Sequence, residues 1–354
     1  MTKVLIVGAG PSGLTTAIEL ARRGVVATLI DKRDQASALS RAVGITPASL
    51  RLLSKSGVAD KLIAEGVAMN AMHIYQGSRL TLSAPLHSDR TYFPTILALA
   101  QDRTENLMVD TLQSLGGSVH YGKSLTTLSD RGNVVTTRFE DNSEDEYELV
   151  IGADGVHSTV RQQAGIPFPG FDLSETWSIA DVDIKDWRHP GGFTLISAAP
   201  GVVIVVAPLG KTRYRVIGSH VNALQALPLP AEVINLRREG TFNIAIRQAK
   251  SYSQGRIHLV GDAAHCHSPV GGRGMNIGIA DAAELARRIV EGSIDGYSEQ
   301  RHKEGKTVIN ATERGRKLIA GVRWPQRLAF RSLLAGAGLS KSIKRRLGQF
   351  VVEV

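Results

Sequence analysis

Three glycines near the start of the sequence have the spacing of a phosphate-binding turn. Gly8, Gly10 and Gly13 lie in the segment GAGPSG, directly after the apolar run at residues 3–7. The first glycine permits a tight bend, the second lets backbone approach a pyrophosphate, and the third lets helix and strand pack closely. The helix that follows offers unpaired backbone N–H groups to the phosphates. The segment therefore predicts a dinucleotide-binding turn.

An acidic residue completes this pattern. A second apolar run, residues 25–30, ends in Asp31, eighteen residues after Gly13. A carboxylate at that place can accept a hydrogen bond from the adenosine ribose of a dinucleotide. Strand, glycine turn, helix, strand and acid predict a Rossmann-like unit. They leave open whether the dinucleotide carries a nicotinamide or a flavin.

Two further apolar runs also end in glycine and aspartate. Residues 148–151 lead into Gly152-Ala153-Asp154-Gly155, and residues 256–260 lead into Gly261-Asp262. Both runs are short and rich in β-branched or leucine residues, as expected of buried parallel strands, and the second also contains Arg256 and His258. The sequence thus contains three strand-to-turn motifs. Whether they contribute to one site depends on how their strands are arranged in the sheet.

With these motifs in this order, the chain resembles the flavin-dependent aromatic hydroxylases of the para-hydroxybenzoate hydroxylase type, the group A flavoprotein monooxygenases. The resemblance rests on GAGPSG with Asp31, on GADGVHSTVR at 152–161 and on RIHLVGDAAHCHSPVGGRGMNIGIADA at 256–282. It implies bound FAD, with NAD(P)H as a transient co-substrate. It further implies a C4a-hydroperoxyflavin that delivers one oxygen atom of O₂ to an aromatic or polycyclic small molecule.

The resemblance also assigns residues to the cofactor. Asp262 would hydrogen-bond the ribityl hydroxyls, and the start of the helix after residue 273 would stabilise negative charge on reduced flavin. Arg273 stands where the family usually has Gln, so it adds positive charge there. Arg103 and Arg161 are further candidates. The predicted cofactor-binding residues are Gly8, Gly10, Pro11, Ser12, Gly13, Asp31, Lys32, Arg33, Arg41, Gln101, Asp154, Gly155, Gly261, Asp262, Pro269, Gly272, Gly274, Met275 and Asn276.

The predicted fold class is α/β. A discontinuous Rossmann-like FAD-binding domain of the GR2 type carries an inserted antiparallel β-sheet substrate domain and a C-terminal helical region. Strand-like runs at 177–184, 193–198, 202–207 and 214–219, with no long helix among them, indicate the antiparallel sheet. We assign residues 1–71, 95–172 and 253–290 to the FAD-binding domain, 72–94 and 173–252 to the substrate domain, and 291–354 to the basic helical region.

Two local patterns lead to narrower predictions. Asp102-Arg103-Thr104-Glu105 has the form of a capping box and predicts the start of a helix that ends at Gly116-Gly117. The very acidic residues 141–146 predict a solvated hairpin turn.

No catalytic side chain is assigned by the sequence. Tyr75, Tyr92, Tyr214 and His220 are candidates for the substrate pocket only because they lie in the presumed substrate domain, as do His73 and Arg213. His265-Cys266-His267 lacks the spaced partners of a zinc site, and we expect it to pack near the flavin. Zinc binding and covalent attachment of the flavin are the alternatives.

The composition of the chain restricts the kinds of partner that we expect it to bind. The net charge of +9 comes with only 5% aromatic residues and is concentrated in the C-terminal part, which argues against nucleic acid. The single cysteine suits a reducing cytoplasm, and no apolar stretch reaches membrane-spanning length. The basic C-terminus is expected to be a solvated helical cap on the FAD domain, with peripheral contact to an anionic membrane or acidic partner as the alternative. A monomer and a homodimer both remain open.

Other activities fit the same fold. A flavin halogenase would carry Trp-x-Trp-x-Ile-Pro, whereas Trp177 and Trp187 are ten residues apart. A flavin-dependent reductase or oxidase, and a non-catalytic protein that binds FAD and a ligand, remain alternatives to the monooxygenase.

Overall fold

The computed structural model describes residues 2–35, 42–269, 272–320 and 340–353. The strands are β1 (Val4–Val7), β2 (Thr28–Ile30), β3 (Gly44–Ile45), β4 (Val67–Met69), β5 (Ala71–Gln76), β6 (Arg79–Pro85), β7 (Ile96–Ala98), β8 (Val119–His120), β9 (Leu125–Asp130), β10 (Val135–Phe139), β11 (Glu144–Tyr147), β12 (Leu149–Gly152), β13 (Gly170–Asp172), β14 (Trp177–Lys185), β15 (Gly192–Ala199), β16 (Val202–Pro208), β17 (Arg213–Gly218), β18 (Glu232–Phe242), β19 (Ala245–Gln248), β20 (Ser253–Gln254), β21 (Ile257–Leu259) and β22 (His265–Cys266). The helices are α1 (Pro11–Ala21), α2 (Pro47–Ser54), α3 (Val58–Glu65), α4 (Gln101–Ser114), α5 (Thr159–Gln163), α6 (Gly274–Glu291), α7 (Tyr297–Ala320) and α8 (Lys341–Glu353), with a short 3-10 helix at Gly261–Ala263.

A six-stranded sheet brings the three glycine motifs together. Its strand order is β20-β21-β12-β1-β2-β8, and all neighbours are parallel except β20 and β21. Every residue of β1 and β12 is buried, as expected for parallel strands covered on both faces. Val7 is paired with Gly152, and Gly152 with Leu259. Because the strands are parallel, the three motifs leave the sheet at the same edge.

A seven-stranded sheet forms the second large layer. Its order is β18-β14-β17-β16-β15-β5-β6, and all of its pairs are antiparallel except β15 with β5. The four strands predicted between residues 177 and 219 are confirmed. The sheet is nevertheless mixed, since the hairpin β5–β6 joins it through a parallel pair. Strand β18 was missing from the prediction because most of its residues are exposed and it shows no apolar alternation.

The two faces of this sheet differ in what covers them. The outer face carries Tyr75, Val182 and Tyr214, which pack in a core with Leu229. The inner face carries Leu195 and Val203, which share a core with Ala98 and Ala100 near the start of α4. The inner face is therefore the one turned toward the motif-bearing part of the chain.

Two local predictions are confirmed only in part, since the helix and the hairpin turn are present but their details differ. Helix α4 begins at Gln101 with Ala100 as its N-cap and no side-chain cap, so Asp102 to Glu105 do not form a capping box. The helix starts earlier because the buried strand β7 turns into it within two residues. The acidic run is only partly a turn, since β11 begins at Glu144 and pairs with β10.

The C-terminal helices pack on both layers. Helix α8 lies against β6 and α2, with Gly348 directly beside the Pro85 carbonyl and Arg345 paired with Asp89 at 2.9 Å. It therefore covers the second sheet more than the FAD domain for which a cap was predicted. Arg327 and Arg331 of the predicted basic surface lie outside the described residues. No helix in the described ranges combines the length and apolar character needed to cross a membrane.

Candidate cofactor site

The glycine turn after β1 is closed on one side and open on the other. A Cβ atom on Gly13 would lie 1.9 Å from the Gly8 carbonyl oxygen, and one on Gly8 (φ +103°) would lie 2.5 Å from the Ala153 oxygen. At Gly10 the same test finds no atom within 4 Å. Gly10 is also the N-cap of α1 and Pro11 opens that helix, which has no side-chain cap. The turn thus leaves an open surface over the helix N-terminus, which fits a pyrophosphate.

Asp31 is held from two sides. Its carboxylate accepts the Ala9 N–H at 2.8 Å and the Arg33 backbone N–H at 2.9 Å, and it pairs with the Arg33 guanidinium at 2.9 Å. Burial alone would raise the pKa of this carboxyl, but the hydrogen bonds from Arg33 and Ala9 outweigh it and lower the pKa. The carboxylate is therefore ionised and fixes the turn at Ala9. Lys32 beside it is exposed.

Asp154 turns back into its own loop. Its Oδ1 accepts the Ser158 hydroxyl at 2.5 Å and its Oδ2 accepts the Val160 N–H at 3.1 Å, at the start of α5. Burial raises the pKa of Asp154 despite these bonds. Gly155 has a positive φ of 82°. Both carboxylate oxygens are thus engaged in the loop, so the geometry does not favour Asp154 as a direct ligand of FAD or NAD(P)H.

The guanidinium of Arg161, a further candidate for cofactor binding, forms its described contacts within the protein. Its buried guanidinium donates to the Ala263 carbonyl at 2.8 Å and to the Val156 carbonyl at 2.9 Å. It also lies 3.8 Å from the centre of the Phe168 ring. Arg161 therefore ties α5 to the turn after β21.

Asp262 differs from the other two motif acids. It sits in the 3-10 helix Gly261–Ala263 and is exposed. Within the described ranges its carboxylate has no hydrogen-bond or ion-pair partner. A Cβ atom on Gly261 or Gly278 would lie 2.4 Å or 2.3 Å from the Ser12 hydroxyl oxygen, so this turn is tightly packed against α1 and α6. Asp262 is therefore a free carboxylate beside the glycine turn.

A buried carboxylate that sequence reasoning missed holds the Asp262 turn in place. Asp281 of α6 accepts the Gly261 N–H at 3.1 Å and contacts His265 Nε2 and Arg301 Nε, each at 2.6 Å. Burial would raise its pKa, but the hydrogen bonds and electrostatic interactions with His265 and Arg301 outweigh burial and lower the pKa. The sequence does contain a signal for this role, because Asp281 lies between two alanines on the apolar face of a predicted helix.

The start of α6 is held mainly by its own side chains. Asn276 accepts the Thr46 N–H at 2.9 Å and donates to the Gly44 and Gly272 carbonyls, both at 2.9 Å. Its amide is thus occupied inside the protein, and Met275 is buried in the main core. Arg273 occupies the N-cap position, but its side chain makes no capping hydrogen bond, and Gly274 is the first residue of the helix. Burial lowers the pKa of Arg273.

The remaining predicted cofactor residues are spread more widely. Gln101 accepts the Ala42 N–H at 3.2 Å and donates to Glu105 at 2.8 Å, next to Arg33. Arg103 forms an exposed ion pair with Glu65 at 2.5 Å and takes no part in the contacts of Gln101. Pro269 and Gly272 border residues 270–271, which lie outside the description, as does Arg41.

A cluster of arginines and aspartates occupies the inner face of the second sheet. Arg215 is fully buried and contacts both oxygens of Asp181, at 2.6 Å and 2.8 Å. Its Nη1 also donates to the Ala42 carbonyl at 3.0 Å, which links this sheet to the loop after β2. Arg213 and Arg238 lie 3.1 Å and 3.5 Å from the same carboxylate. Sequence reasoning named only Arg213 of these residues.

The predicted pocket residues do not meet at this inner face. Tyr75 and Tyr214 are on the outer face, where the Tyr75 hydroxyl contacts His189 at 2.7 Å. Tyr92 is 83% exposed. The Nδ1 atom of His220 lies 2.9 Å from the Asn222 carbonyl oxygen in its own loop. Side chains alternate between the two faces of a strand, and the sequence alone does not show which face lies toward the cofactor. Both tyrosines lie on the other face.

The histidine and cysteine motif lies between the Asp262 turn and α6. Cys266 is buried and its thiol lies 3.4 Å from the Asp262 carbonyl oxygen. His265 pairs with Asp281, as described above. Among the described residues, no group of three or more His, Cys, Asp or Glu side chains is arranged to hold a metal ion.

Comparison with known proteins gives one consistent result. The family of FAD binding domains matches residues 1–226 and 220–312. An aromatic compound monooxygenase of Bacillus subtilis (strain 168), itself described as uncharacterized, is 33% identical over 90% of this chain and 68% of its own length. The 6-methylpretetramide 4-monooxygenase of Streptomyces rimosus is 29% identical over 98% of this chain and 68% of its length. The structure of p-nitrophenol 4-monooxygenase from Pseudomonas putida superposes with a TM-score of 0.87 at 24% identity, covering 98% of this chain and 96% of that one, so it shares the fold.

Proposed function

Since the chain belongs to the family of FAD binding domains found in group A flavoprotein hydroxylases, we propose that it is an NAD(P)H-consuming monooxygenase. Its substrate in this proposal is an aromatic or polycyclic small molecule, which it hydroxylates with O₂. FAD, when bound, accepts a hydride from NAD(P)H and activates oxygen. The protein residues bind and orient the reactants and exclude water.

One observation carries the proposal. The free carboxylate of Asp262 lies beside the open glycine turn at Gly10, at the edge where the parallel strands end. In the proposal, the start of α1 binds the pyrophosphate and Asp262 binds the ribityl chain. Asp31 binds the adenosine ribose in place of part of its present contact with the Arg33 guanidinium. Gln101 and Arg41 complete the cofactor side. Asp154 contributes by shaping its loop, because its carboxylate oxygens are already engaged.

The start of α6 supplies electrostatic stabilisation. The N-terminal end of a helix carries a partial positive charge, and a buried or partly buried site strengthens its effect. Arg273 at the N-cap adds a full charge at that end. Negative charge on a reduced cofactor is stabilised by such an arrangement. This assigns the region from Pro269 to Asn276 to the reactive end of the cofactor.

The substrate is proposed to lie between this region and the inner face of the second sheet. Residues 72–94 and 173–252 then form the substrate domain, and residues 1–71, 95–172 and 253–290 form a discontinuous Rossmann-like FAD domain of the GR2 type. Arg213 is the inner-face residue best placed to meet an acidic or phenolic substrate, since it is partly exposed and shares Asp181 with two other arginines. The proposal places the enzyme in the cytoplasm, where its single cysteine stays reduced.

The test is oxidation of NADH and of NADPH by the FAD-loaded protein, measured with a panel of phenols and polycyclic phenols. We expect at least one compound to accelerate oxidation and to gain one oxygen atom by mass spectrometry. Accelerated oxidation with release of hydrogen peroxide and no oxygenated product would instead support an oxidase. Purified protein that neither contains nor takes up FAD would contradict the whole proposal.

Arg273 favours a second candidate, a protein that binds FAD and a ligand without turnover. The family usually has Gln at this position, and a charged residue at the start of α6 changes the surroundings of the cofactor. The variant Arg273→Gln separates the two candidates. If the natural protein is a monooxygenase, it oxidises NAD(P)H without this change. If only Arg273→Gln does so, the non-catalytic candidate is correct.

A further inference from the structure

His267 is a histidine for which the proposed function has no use. It follows β22 and lies between the Asp262 turn and the start of α6. Its Nδ1 atom is 2.8 Å from the Ser268 carbonyl oxygen. A carbonyl oxygen only accepts hydrogen bonds, so Nδ1 carries the proton of the neutral ring. The other ring nitrogen, Nε2, therefore has a lone pair and acts as an acceptor.

This acceptor is buried and unpaired. The side chain as a whole is partly buried, but Nε2 itself is inaccessible to solvent and has no hydrogen-bond partner in the described part of the chain. It points toward the start of α6, since a Cβ atom on Gly274 would lie 3.8 Å from it. Buried polar atoms are nearly always hydrogen-bonded, because leaving one unpaired costs stability. An unpaired acceptor beside a cofactor site points to a donor on the ligand.

The charges around the ring keep it neutral near pH 7. Burial lowers the pKa of His267, and electrostatic interactions with His265 and Arg273 lower it further. Asp262 and the hydrogen bond to Ser268 act in the opposite direction. These groups come from each element that faces the ring, namely β22, the N-cap of α6, the 3-10 helix and the connecting loop. The lone pair on Nε2 is thus available at physiological pH.

We propose that His267 is a cofactor-binding residue whose neutral Nε2 accepts a hydrogen bond from FAD. FAD offers two kinds of donor that suit it, a ribityl hydroxyl and the N3–H of the flavin ring. Asp262 lies on the same side of the site, so the two residues would bind neighbouring parts of the cofactor. The inference rests on FAD binding by this chain and is independent of the substrate or of turnover.

The test compares His267→Phe with His267→Gln. Phenylalanine keeps the ring volume and removes the acceptor, whereas the glutamine oxygen reaches about as far as Nε2. Flavin fluorescence quenching on titration into the apoprotein gives the dissociation constant for FAD. We expect His267→Phe to raise it about ten- to hundredfold, as for a lost buried hydrogen bond, and His267→Gln to stay within about threefold of the natural protein.

The melting temperature of the apoprotein distinguishes binding from a structural role. Without FAD the acceptor is unpaired, so His267→Phe should melt at the same temperature as the natural protein or higher. His258→Phe is a matched control, because His258 is also buried but its Nδ1 is already paired with Ser253 at 2.8 Å. We expect that control to lower the melting temperature and to leave FAD affinity nearly unchanged.

Two further readouts sharpen the assignment. Protonation of Nε2 removes the lone pair, so the FAD dissociation constant of the natural protein should rise as pH falls below the pKa of His267. The dissociation constant of His267→Gln should depend less on pH.

An FAD analogue methylated at flavin N3 identifies the donor. If N3–H is the donor, the natural protein loses affinity for the analogue and His267→Phe does not. If a ribityl hydroxyl is the donor, N3 methylation changes the affinity of the natural protein and of His267→Phe by the same factor. His267→Phe then binds both FAD and the analogue more weakly than the natural protein does.

Contrary outcomes are distinct from failure of the proposed function. Unchanged FAD affinity in His267→Phe, or a drop in apoprotein melting temperature that accounts for the weaker binding, would overturn the role of His267 while FAD binding by the natural protein stands. No FAD binding by the natural protein would overturn the proposed function first.

Discussion

Two turns at the same edge of the first sheet contain the same residue pair in opposite order. Asp154-Gly155 follows β12, and Gly261-Asp262 follows β21, which pairs with β12 in parallel. Both aspartates were predicted to bind the cofactor. In the structure, Asp154 accepts bonds from Ser158 and Val160, whereas Asp262 is exposed without a described partner.

The difference comes from the next element in the chain. After β12, the short helix α5 begins only five residues beyond Asp154, and its unpaired N–H groups take up the carboxylate. After β21, the N–H of Gly261 is bound by Asp281 from α6, which leaves the Asp262 side chain outside the turn. Of these two aspartates, the one whose carboxylate is left without a described partner is therefore the one whose neighbouring backbone N–H is bound by another residue.

The glycines of the first turn divide in the same way. Gly13 faces the protein, since a Cβ there would lie 1.9 Å from a backbone oxygen, while Gly10 faces open space. The comparison therefore separates Gly13 and Asp154, which contact the protein itself, from Gly10 and Asp262, which face open space or lack a described partner.

The largest expected effect is that of Gly13→Ala. The added Cβ would clash with the Gly8 carbonyl, which is backbone and cannot rotate away. We therefore expect the variant to lose cooperative folding or to be destabilised by more than about 4 kcal/mol. Gly10→Ala is the matched control and should fold normally, with a melting temperature near that of the natural apoprotein, yet bind FAD weakly. Circular dichroism melts and FAD titration measure the two properties. Similar behaviour of the two variants would remove the distinction between them.

Asp262→Ala should act on the cofactor alone. We expect the FAD dissociation constant to rise about ten- to hundredfold, as for loss of a hydrogen bond to a charged group. The apoprotein should melt within a few degrees of the natural protein, because Asp262 has no described partner to lose. A large drop in apoprotein stability with unchanged affinity would show that we have assigned the two aspartates the wrong way round.

Asp154→Ala should act on stability. The change leaves the Ser158 hydroxyl and the Val160 N–H without their acceptor, which we expect to cost about 1–3 kcal/mol in the free energy of unfolding. FAD affinity of the folded protein should change less than in Asp262→Ala. Urea unfolding of the apoprotein and FAD titration of the folded fraction test this, and Asp154→Asn, which retains one acceptor, should recover part of the loss.

The smallest effect concerns the two strands that carry these turns. His258 in β21 lies opposite Ile151 in β12 and is buried, and burial lowers its pKa from about 6.5 to about 4. The folded state therefore binds fewer protons than the unfolded state in this interval. Stability should be full above about pH 6.5 and fall by at most about 1.4 kcal/mol per pH unit as the pH drops toward 4.

Urea unfolding at several pH values measures this slope. His258→Leu should reduce it, since leucine takes no proton in either state. An unchanged slope in that variant would assign the acid sensitivity to other groups.

Much of the cofactor side could be predicted from the sequence. The spacing of Gly8, Gly10 and Gly13, the position of Asp31 and the apolar runs before Gly152 and Gly261 are local features, and local features determine turns and buried strands. Family membership and FAD follow from the same motifs and are confirmed by the comparisons. The strands between residues 177 and 219 were also predictable, because they alternate or are continuously apolar.

The rest depended on contacts between distant residues. Nothing near Asp154 or Asp262 in the chain shows which carboxylate remains free, because Asp281 and α5 decide it. Tyr75 and Tyr214 lie on a sheet whose inner face is set by packing against residues near α4, and alternation alone gives two faces without naming them. The sequence by itself thus determined which cofactor the chain binds and where its strands turn. Only the tertiary structure decided which of the motif carboxylates are already hydrogen-bonded within the protein, because hydrogen-bond satisfaction is a property of the folded surroundings.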